Sequence, residues 1–324
     1  MQPPVFIVGC PRSGTSFLYH LLLSAGGFAE FHTQMNAYDV LEPIYGPLNT
    51  AKNKARMMRD WLQSKAFQVS GLDAAQIEAK VMTECNHAGD FLRIVMNEVA
   101  CAQNVDRWAD STPTNIPHML RIASDFPDAK FLHIIRDPRD IALSLERRKW
   151  SRPLPWDKDR ALLAAGLYWK WIVRRGREYG ALLSSKYMEV RYEDLVQRPG
   201  EILADVGDFL QHELDFNRIQ KASVGSVKIP LTSFREDLNH GRFNPIGRWK
   251  EKFPPQQLQE FEDLVGNYMV EVGYPRATSP GRRWVFVSRN RFLYGCFYPL
   301  KQWVKVNTPL SRWMVNYSEI LIDK

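Results

Sequence analysis

The first residues of the chain place an apolar run directly before a glycine. Val5–Val8 is rich in β-branched side chains and contains no polar residue, which is typical of a parallel strand buried on both faces. A helical pattern follows over residues 16–24 and ends at Ala25-Gly26-Gly27, where glycine suits a left-handed exit from a helix. The pattern predicts a strand, a tight glycine turn and a helix.

The same order of strand and helix recurs downstream. "KFLHII" (130–135) precedes a helix predicted from about Arg139, and "YMEVRY" (187–192) feeds a helix predicted near Pro199. Alternating strands and helices across residues 5–210 predict an α/β fold, with a central parallel sheet flanked by helices in three layers. Further helices are predicted at about 73–103 and 160–183, residues 28–60 are predicted to be loop and short helix, and the periodicity fades after 220.

Composition narrows the class of protein. The chain has 324 residues, of which 45% are hydrophobic and 12% aromatic, enough for a large buried core and unlike a disordered chain. The net charge is +7, from 43 Lys and Arg against 36 Asp and Glu, which suits an anionic ligand. Because the basic residues are dispersed and no groove-reading motif occurs, no nucleic-acid partner is expected.

The cysteines indicate neither a metal site nor a disulfide framework. They are scattered, without a Cys-x-x-Cys pair or a histidine-rich neighbourhood, so no metal is predicted and a reducing compartment is favoured. A strand begins almost at once, and no apolar run reaches the ~18 residues of a membrane helix. We therefore expect a cytoplasmic location. The cysteines are Cys10, Cys85, Cys101 and Cys296.

The turn "GCPRSGTS" (9–16) predicts an anion-binding loop. Backbone N–H groups and the helix dipole converge there, and Gly9 and Gly14 let the backbone approach a ligand closely. The spacing is that of a nucleotide-binding P-loop, although Thr15 stands where a phosphate-transferring enzyme has lysine. Arg12 instead places the positive charge inside the loop, and no downstream strand ends in a magnesium-binding aspartate. A sulfuryl group carries less negative charge than a phosphoryl group, so the loop suits sulfate; the alternative is a plain tight turn.

A second cation follows the strand at 130–135. Arg136 lies at its carboxyl end, and Ser144 lies about one and a half turns into the next helix. Ligands of such sheets bind at the carboxyl ends of strands, so we expect both residues at one phosphate, near the 9–16 loop. The alternative for Arg136 is an exposed ion pair with Asp137 or Asp140.

Together, "PRSGTS" and "RDPRDIALS" resemble the two nucleotide-binding motifs of sulfotransferases that use 3′-phosphoadenosine 5′-phosphosulfate (PAPS), most closely in the style of bacterial, carbohydrate and tyrosyl-protein sulfotransferases. "VRYEDL" (190–195) and "PIGRWKEKF" (245–253) are similar to two later family motifs. The resemblance implies a PAPS-dependent sulfotransferase with a P-loop-like fold and no metal. It implies that Pro11, Arg12, Ser13, Gly14, Thr15 and Ser16 hold the 5′-phosphosulfate, that Arg136 and Ser144 hold the 3′-phosphate, that Tyr192 contacts the adenine, and that Gly247, Arg248, Trp249 and Lys250 form a closing loop.

Two of those residues have simpler interpretations. Tyr192 fits ordinary strand packing, and Trp249 fits a core anchor of the loop. A P-loop kinase or NTPase and a non-catalytic nucleotide-binding protein are the alternative functions.

For catalysis we expect Arg12 to stabilise the charge on the transferred group. Glu30 and His32 lie where relatives place the general base, and alternation along a strand would put both on one face. Asp110 is a secondary candidate for the base. In the "DSTPTN" stretch, Ser111 stands where similar enzymes have lysine, and Lys149 or Lys250 is a hypothetical replacement for that charge.

The acceptor is expected to be a hydroxyl or amine of a small molecule, a carbohydrate or a lipid. Its pocket is predicted from residues 28–72 and 145–165, with Trp61, Trp150 and Trp156 as an apolar or sugar-stacking surface. We predict one domain over 1–280 and a basic, aromatic extension over 281–324. The extension is expected to pack on the core; peripheral membrane contact through 282–316 is the alternative. The oligomeric state stays open.

Overall fold

A computed structural model of the protein describes residues 1–151, 153–225, 245–281, 283–308 and 310–314. Four parallel strands form its sheet in the order β2-β1-β3-β4. The strands are β1 (Val5–Gly9), β2 (Ala109–Asp110), β3 (Lys130–Ile135) and β4 (Tyr187–Arg191). The three strands predicted from apolar runs are therefore confirmed, and β1 lies between β2 and β3.

Helices cover both faces of the sheet and alternate with its strands along the chain. They are α1 (Thr15–Ala25), α2 (Glu42–Tyr45), α3 (Ala51–Trp61), α4 (Lys65–Ser70), α5 (Ala74–Glu84), α6 (Ala88–Ala102), α7 (Met119–Asp125), α8 (Pro138–Arg147), α9 (Ala161–Leu183), α10 (Tyr192–Gln197), α11 (Pro199–Leu210), α12 (Phe216–Ala222), α13 (Trp249–Lys252), α14 (Pro255–Glu271), α15 (Trp284–Asn307) and α16 (Ser311–Met314). A π-helix spans Ala37–Leu41, and 3₁₀ turns span Pro113–His118, Pro155–Asp157 and Ser184–Lys186.

Alternation along β1 divides the core between the two faces of the sheet. Val5 and Ile7 pack with α1, α11 and α12 on one face, whereas Phe6 and Val8 pack with α6 and α9 on the other. Because both faces are buried, β1 needs apolar side chains at every position. The predicted three-layer α/β fold is confirmed.

Local sequence explains where several helices begin and end. α1 ends at Gly26, with φ of 83°, as the glycine pair predicts. α8 begins at Pro138, where a missing N–H costs nothing, and Asp137 caps it by accepting from Arg139 N at 2.9 Å. The predicted helix over 73–103 is two helices, because His87 caps a new start at α6.

Two stretches are more regular than the sequence indicated. Residues 28–60 include most of α3, an 11-residue helix, and the stretch after 220, where the periodicity fades, includes α14, a 17-residue helix. In α14 the buried positions Phe261, Leu264, Val265 and Met269 recur at helical spacing, although its polar opening "PPQQLQ" hides the pattern. Residues 226–244 lie outside the described part of the chain.

Most of the described residues after 281 form one helix, α15, which packs on the domain. Tyr298 donates to the carbonyl of Ala164 at 2.8 Å, and Tyr294 accepts from Leu154 N at 3.1 Å. Its inner face thus meets α9 and the segment before it, while the division at residue 280 stays a prediction. Within the described residues, no helix is both long and apolar enough to cross a bilayer.

A buried charge network fixes the far end of α15. Lys305 Nζ donates to Asp39 Oδ2 at 2.6 Å, and Gln302 donates to Asp39 Oδ1 at 3.0 Å. His118 lies 3.3 Å from the same carboxylate. Burial raises the pKa of Asp39, but the hydrogen bond from His118 and the charge of Lys305 outweigh burial and hold that pKa well below its ordinary value. The network joins α15 to the π-helix.

We predict that Lys305→Met lowers the free energy of unfolding by about 3–5 kcal/mol, because it leaves a buried carboxylate without its cation. The matched control, Arg174→Met, removes an exposed pair with Glu178 and costs under about 1 kcal/mol. Urea unfolding measures both. Since the folded pKa of Asp39 is depressed, its contribution is complete above the unfolded value of about 3.9 and is lost as the pH falls toward the folded value. The loss in the free energy of unfolding caused by Lys305→Met must therefore become smaller as the pH falls. A loss that does not change with pH contradicts the pairing of Lys305 with Asp39.

Candidate functional site

The 9–16 loop has the backbone of an anion cradle. Arg12 and Gly14 both have positive φ, 75° and 106°, so the chain turns through left-handed conformations before α1 begins. A Cβ on Gly14 would lie 2.5 Å from Tyr192 Cδ2, so glycine is required by space as well as by φ. Ser13 is fully buried, and its Oγ has no hydrogen-bond partner among the described residues. An unpaired buried hydroxyl beside a helix N-terminus is what a bound anion would satisfy.

Arg136 joins this loop to the later part of the chain. Its Nη1 donates to the carbonyl of Arg12 at 3.1 Å, and its Nη2 donates to the carbonyl of Pro245 at 2.6 Å. The guanidinium lies 4.3 Å from the ring centroid of Tyr192. Its buried Nε has no partner among the described residues. The predicted alternative, an exposed ion pair with Asp137 or Asp140, is wrong: Arg136 is buried and bonds to backbone carbonyls.

Ser144 lies beside Arg12. Its Oγ accepts from Arg12 Nε at 3.0 Å, so the structure joins the two predicted phosphate-binding motifs directly. Trp150 covers the same guanidinium from outside, with the ring centroid 5.8 Å from Arg12 Cζ. Arg12 is thus held between a buried hydroxyl and an aromatic ring that is 57% exposed.

Several positive charges converge on Arg12. Burial lowers the pKa of its guanidinium, and the charges of Arg148, Arg136 and Arg147 lower that pKa further. Burial likewise lowers the pKa of Arg248; the charge of Asp140 opposes this lowering, whereas the charges of Arg136 and Arg147 add to it. Such mutual repulsion is relieved by a bound anion. We call these five residues the arginine cluster.

The predicted closing loop is fastened to the start of α8. Asp140 accepts from Gly247 N at 2.8 Å and from Trp249 N at 3.0 Å. Burial raises the pKa of Asp140, and the charge of Arg136 opposes that rise. Because Asp140 lies one turn before Ser144, one helix positions both the closing loop and the hydroxyl that meets Arg12.

Trp249 rests on a buried guanidinium. Arg139 Cζ lies 3.6 Å from its ring centroid, and Arg139 also binds Asp137 at 2.7 Å and Glu262 at 2.8 Å. The ion pairs fix α8 to α14, and the stacking fixes the closing loop to both. Trp249 therefore anchors the loop, as its simpler interpretation predicts, and Lys250 remains exposed next to it.

Glu30 and His32 meet each other but not in a strand. Residues 29–36 have no regular secondary structure, so the predicted strand alternation is wrong there. The two side chains nevertheless approach to 3.4 Å, each about half exposed. Tyr19 in α1 holds the segment by donating to the carbonyl of Phe31 at 2.8 Å. The pair thus lies beside α1, open to solvent.

The "DSTPTN" loop contains buried polar atoms that sequence reasoning missed. Asp110 is 8% exposed, and burial raises its pKa while hydrogen bonding to Thr112 opposes that rise. Thr112 N donates to Asp110 at 2.6 Å. Three other atoms of the loop, Thr112 Oγ1, Thr114 Oγ1 and Asn115 Oδ1, are buried without a partner among the described residues. Only the run of hydroxyl and amide side chains in the sequence hinted at these buried polar atoms.

The predicted acceptor surface needs one correction. Trp61 is 2% exposed and packs edge-on against Phe67 and Phe91, because the apolar face of α3 turns it into the core. Trp150 and Trp156 are exposed. Lys149, one proposed replacement for the missing lysine, is also exposed and lies just after α8, with a φ of 55°. Within the described residues, no group of His, Cys, Asp and Glu side chains could hold a metal ion.

Comparisons with known proteins identify a family and related folds. The profile of the Sulfotransferase family matches residues 3–216. The sulfotransferase domain from the curacin biosynthetic pathway is similar in structure, with a TM-score of 0.58, 16% identity and coverage of 85% of this chain and 98% of that one. The sulfotransferase domain of the olefin synthase from Synechococcus PCC 7002 gives a TM-score of 0.54, 19% identity and coverage of 83% and 95%. No curated protein sequence matches the chain significantly.

Gly14→Ala tests the packing of the loop. The new Cβ would meet Tyr192 in a backbone conformation that alanine rarely adopts, so we expect a loss of about 1–3 kcal/mol in the free energy of unfolding. Gly200→Ala is the matched control, because nothing lies within 4 Å of its Cβ position, and it should change stability by no more than about 1 kcal/mol. Urea denaturation compares the two, and equal effects would contradict the close approach of Tyr192.

Proposed function

Because the chain belongs to the sulfotransferase family, whose members generally use PAPS, we propose that it transfers the sulfuryl group of PAPS to a hydroxyl of a small-molecule, carbohydrate or lipid acceptor. The observation that carries the proposal is the bond between the two anion sites: Arg12 Nε to Ser144 Oγ at 3.0 Å. It brings the 9–16 loop and the helix that follows Arg136 together, which supports their binding a single ligand. Membership of this family disfavours the kinase and the non-catalytic alternatives.

The donor atoms of the chain fit a ligand with two separate anionic groups. Ser13 Oγ and Arg136 Nε are buried, lack partners among the described residues and belong to the two different motifs. Within the described residues, the hydrogen bonds of Arg12 and Arg136 neutralise neither positive charge, since Arg136 is held by carbonyls and Arg12 by a hydroxyl. PAPS carries a phosphosulfate and a 3′-phosphate, and it supplies the activated sulfuryl group.

Each motif then has a distinct task. The residues from Pro11 to Ser16 bind the phosphosulfate through backbone N–H groups and hydroxyls, and Arg12 stabilises the charge that develops on transfer. Arg136 and Ser144 bind the 3′-phosphate. Tyr192 contacts the adenine, and residues 247–250 close over the nucleotide.

The acceptor enters from the side of Trp150. This ring is exposed and covers Arg12, so an apolar or sugar ring stacked on it would present a hydroxyl near the transferred group. One member of the Glu30–His32 pair accepts the single hydroxyl proton: the two side chains are half exposed and contact each other, which leaves the pair accessible to an acceptor. Asp110 is buried and accepts from a backbone N–H, which suits a role in holding the 110–115 loop.

The nucleotide assignment is tested by calorimetry with two ligands that differ in one phosphate. Arg136→Lys should weaken the binding of 3′,5′-bisphosphoadenosine by about 10–100-fold, which is the equivalent of losing one charge-assisted hydrogen bond. Adenosine 5′-phosphosulfate, which lacks the 3′-phosphate, should bind nearly as well as it does to the wild type.

Arg198→Lys is the control, because Arg198 is exposed and pairs with Glu201; it should change neither affinity. If Arg136→Lys weakens the binding of both ligands equally, Arg136 does not bind the 3′-phosphate. Absence of nucleotide binding by the wild type, or of transfer from radiolabelled PAPS to any hydroxyl acceptor, overturns the proposed function.

The identity of the base is tested by turnover at saturating PAPS. We predict that Glu30→Gln or His32→Gln lowers kcat by about 10²–10⁴-fold, the usual contribution of a general base, with nucleotide affinity unchanged. Asp110→Asn should lower kcat less than tenfold, and it serves as the comparison. If Asp110→Asn instead lowers kcat more than Glu30→Gln and His32→Gln do, and it alone abolishes the acid limb of the pH–rate profile, then Asp110 is the base.

A further inference from the structure

Helix α15 has a second apolar face that the fold does not use. Phe292 is 70% exposed, Leu300 60% and Trp303 58%, and Val285 and Cys296 lie along the same side of the helix at helical spacing. We call Val285, Phe292, Cys296, Leu300 and Trp303 the outer stripe. Leu310 and Trp313 are also exposed just beyond it. Exposed apolar side chains collected on one helix face mark an interaction surface.

The opposite face of α15 already holds the helix in place. Tyr294 and Tyr298 are buried, and Lys305 binds Asp39. Arg291 donates to the carbonyl of Leu264 at 2.8 Å. Since these contacts fix α15 to the domain, the outer stripe is a preformed surface rather than a part of the core.

Along the chain, the charged residues of α15 and of its flanking segments are all basic, although Arg283 pairs with Glu260 and Lys305 pairs with Asp39. From Val272 to Ser318 the sequence contains no Asp or Glu. Its charged residues are Arg276, Arg282, Arg283, Arg289, Arg291, Lys301, Lys305 and Arg312. A surface that combines exposed aromatic and aliphatic side chains with basic residues fits the boundary between acyl chains and anionic headgroups.

A basic cavity lies at the amino-terminal end of the outer stripe. It has a volume of about 490 Å³ and is lined by Arg160, Arg283, Trp284, Val285, Phe286 and Arg289. Arg160 stacks on Phe286 at 4.8 Å and lies 3.7 Å from Asp157, whereas Arg283 pairs with Glu260. Arginine beside exposed tryptophan is suited to a phosphate at the membrane interface.

We propose that α15 docks the protein on an anionic phospholipid surface, with the outer stripe against the acyl chains and the basic cavity on a headgroup phosphate. The charge pattern favours lipid over a second copy of the chain. A symmetric pairing of two α15 helices would bring Arg289 and the other cations of one helix toward the cations of its copy, with no carboxylate on either helix to compensate. The proposal does not depend on the chemistry of the arginine cluster.

Co-sedimentation of the full chain with lipid vesicles tests this surface. The wild type should bind vesicles that contain phosphatidylglycerol and bind pure phosphatidylcholine weakly. Phe292→Ser combined with Trp303→Ser should lower the partition coefficient about tenfold or more, because two large apolar side chains no longer enter the bilayer. Arg289→Glu should lower it about fivefold or more, and only on anionic vesicles.

The controls match each change in exposure or charge. Leu182 on α9 is 70% exposed, like Phe292, so Leu182→Ser should leave binding unchanged; Lys65→Glu, at an exposed lysine of α4, is the charge control. Light scattering and urea unfolding confirm that the variants remain folded. Wild-type binding that is absent, or that the stripe variants leave intact, overturns the proposal. The proposal is also overturned if the wild type is a dimer that binds no vesicles and the stripe variants are monomers, since that result assigns the surface to a second copy of the chain.

Discussion

Like-charged guanidinium groups held close together at the carboxyl edge of the sheet are the constraint on which the site depends. Arg12 and Arg136 belong to different strand–helix units, yet Arg136 donates to the carbonyl of Arg12. Neither is neutralised by a carboxylate in an ion pair within the described residues, because their hydrogen bonds go to carbonyls and to Ser144. Such an arrangement persists only when the surrounding structure holds it. Because the repulsion between like charges falls when an anion binds, the arrangement supports the anionic ligand proposed for this site.

The surrounding structure supplies this support through α8. Asp137, Arg139 and Glu262 form a buried ionic network, and Trp249 stacks on its guanidinium. The network fastens the first turn of α8 to α14. Because Asp140 and Ser144 follow on the same helix, the network positions both the closing loop and the partner of Arg12. The stability of α8 and the geometry of the site are therefore coupled.

The carboxyl-terminal helix contributes to the fold and to the surface through opposite faces. Its inner face meets α9 through tyrosines and meets the π-helix through Lys305 and Asp39. Its outer face holds the apolar side chains and lies next to the basic cavity. A helix that is apolar on two sides shows weak amphipathic periodicity, which is why its helical character was hidden in the sequence.

Sequence alone determined the strand, turn and helix at residues 5–25 and the parallel arrangement of the sheet. Buried parallel strands require continuous apolar runs, and a left-handed turn requires glycine, so both are written in local residue order. Tertiary structure decided what depends on residues distant in the chain. It paired Ser144 with Arg12, placed Trp61 in the core, brought Glu262 to Arg139, and left Thr112 and Asn115 as buried polar groups beside Asp110. These outcomes follow from the packing of helices against both faces of one sheet, which fixes distances between side chains that no local pattern encodes.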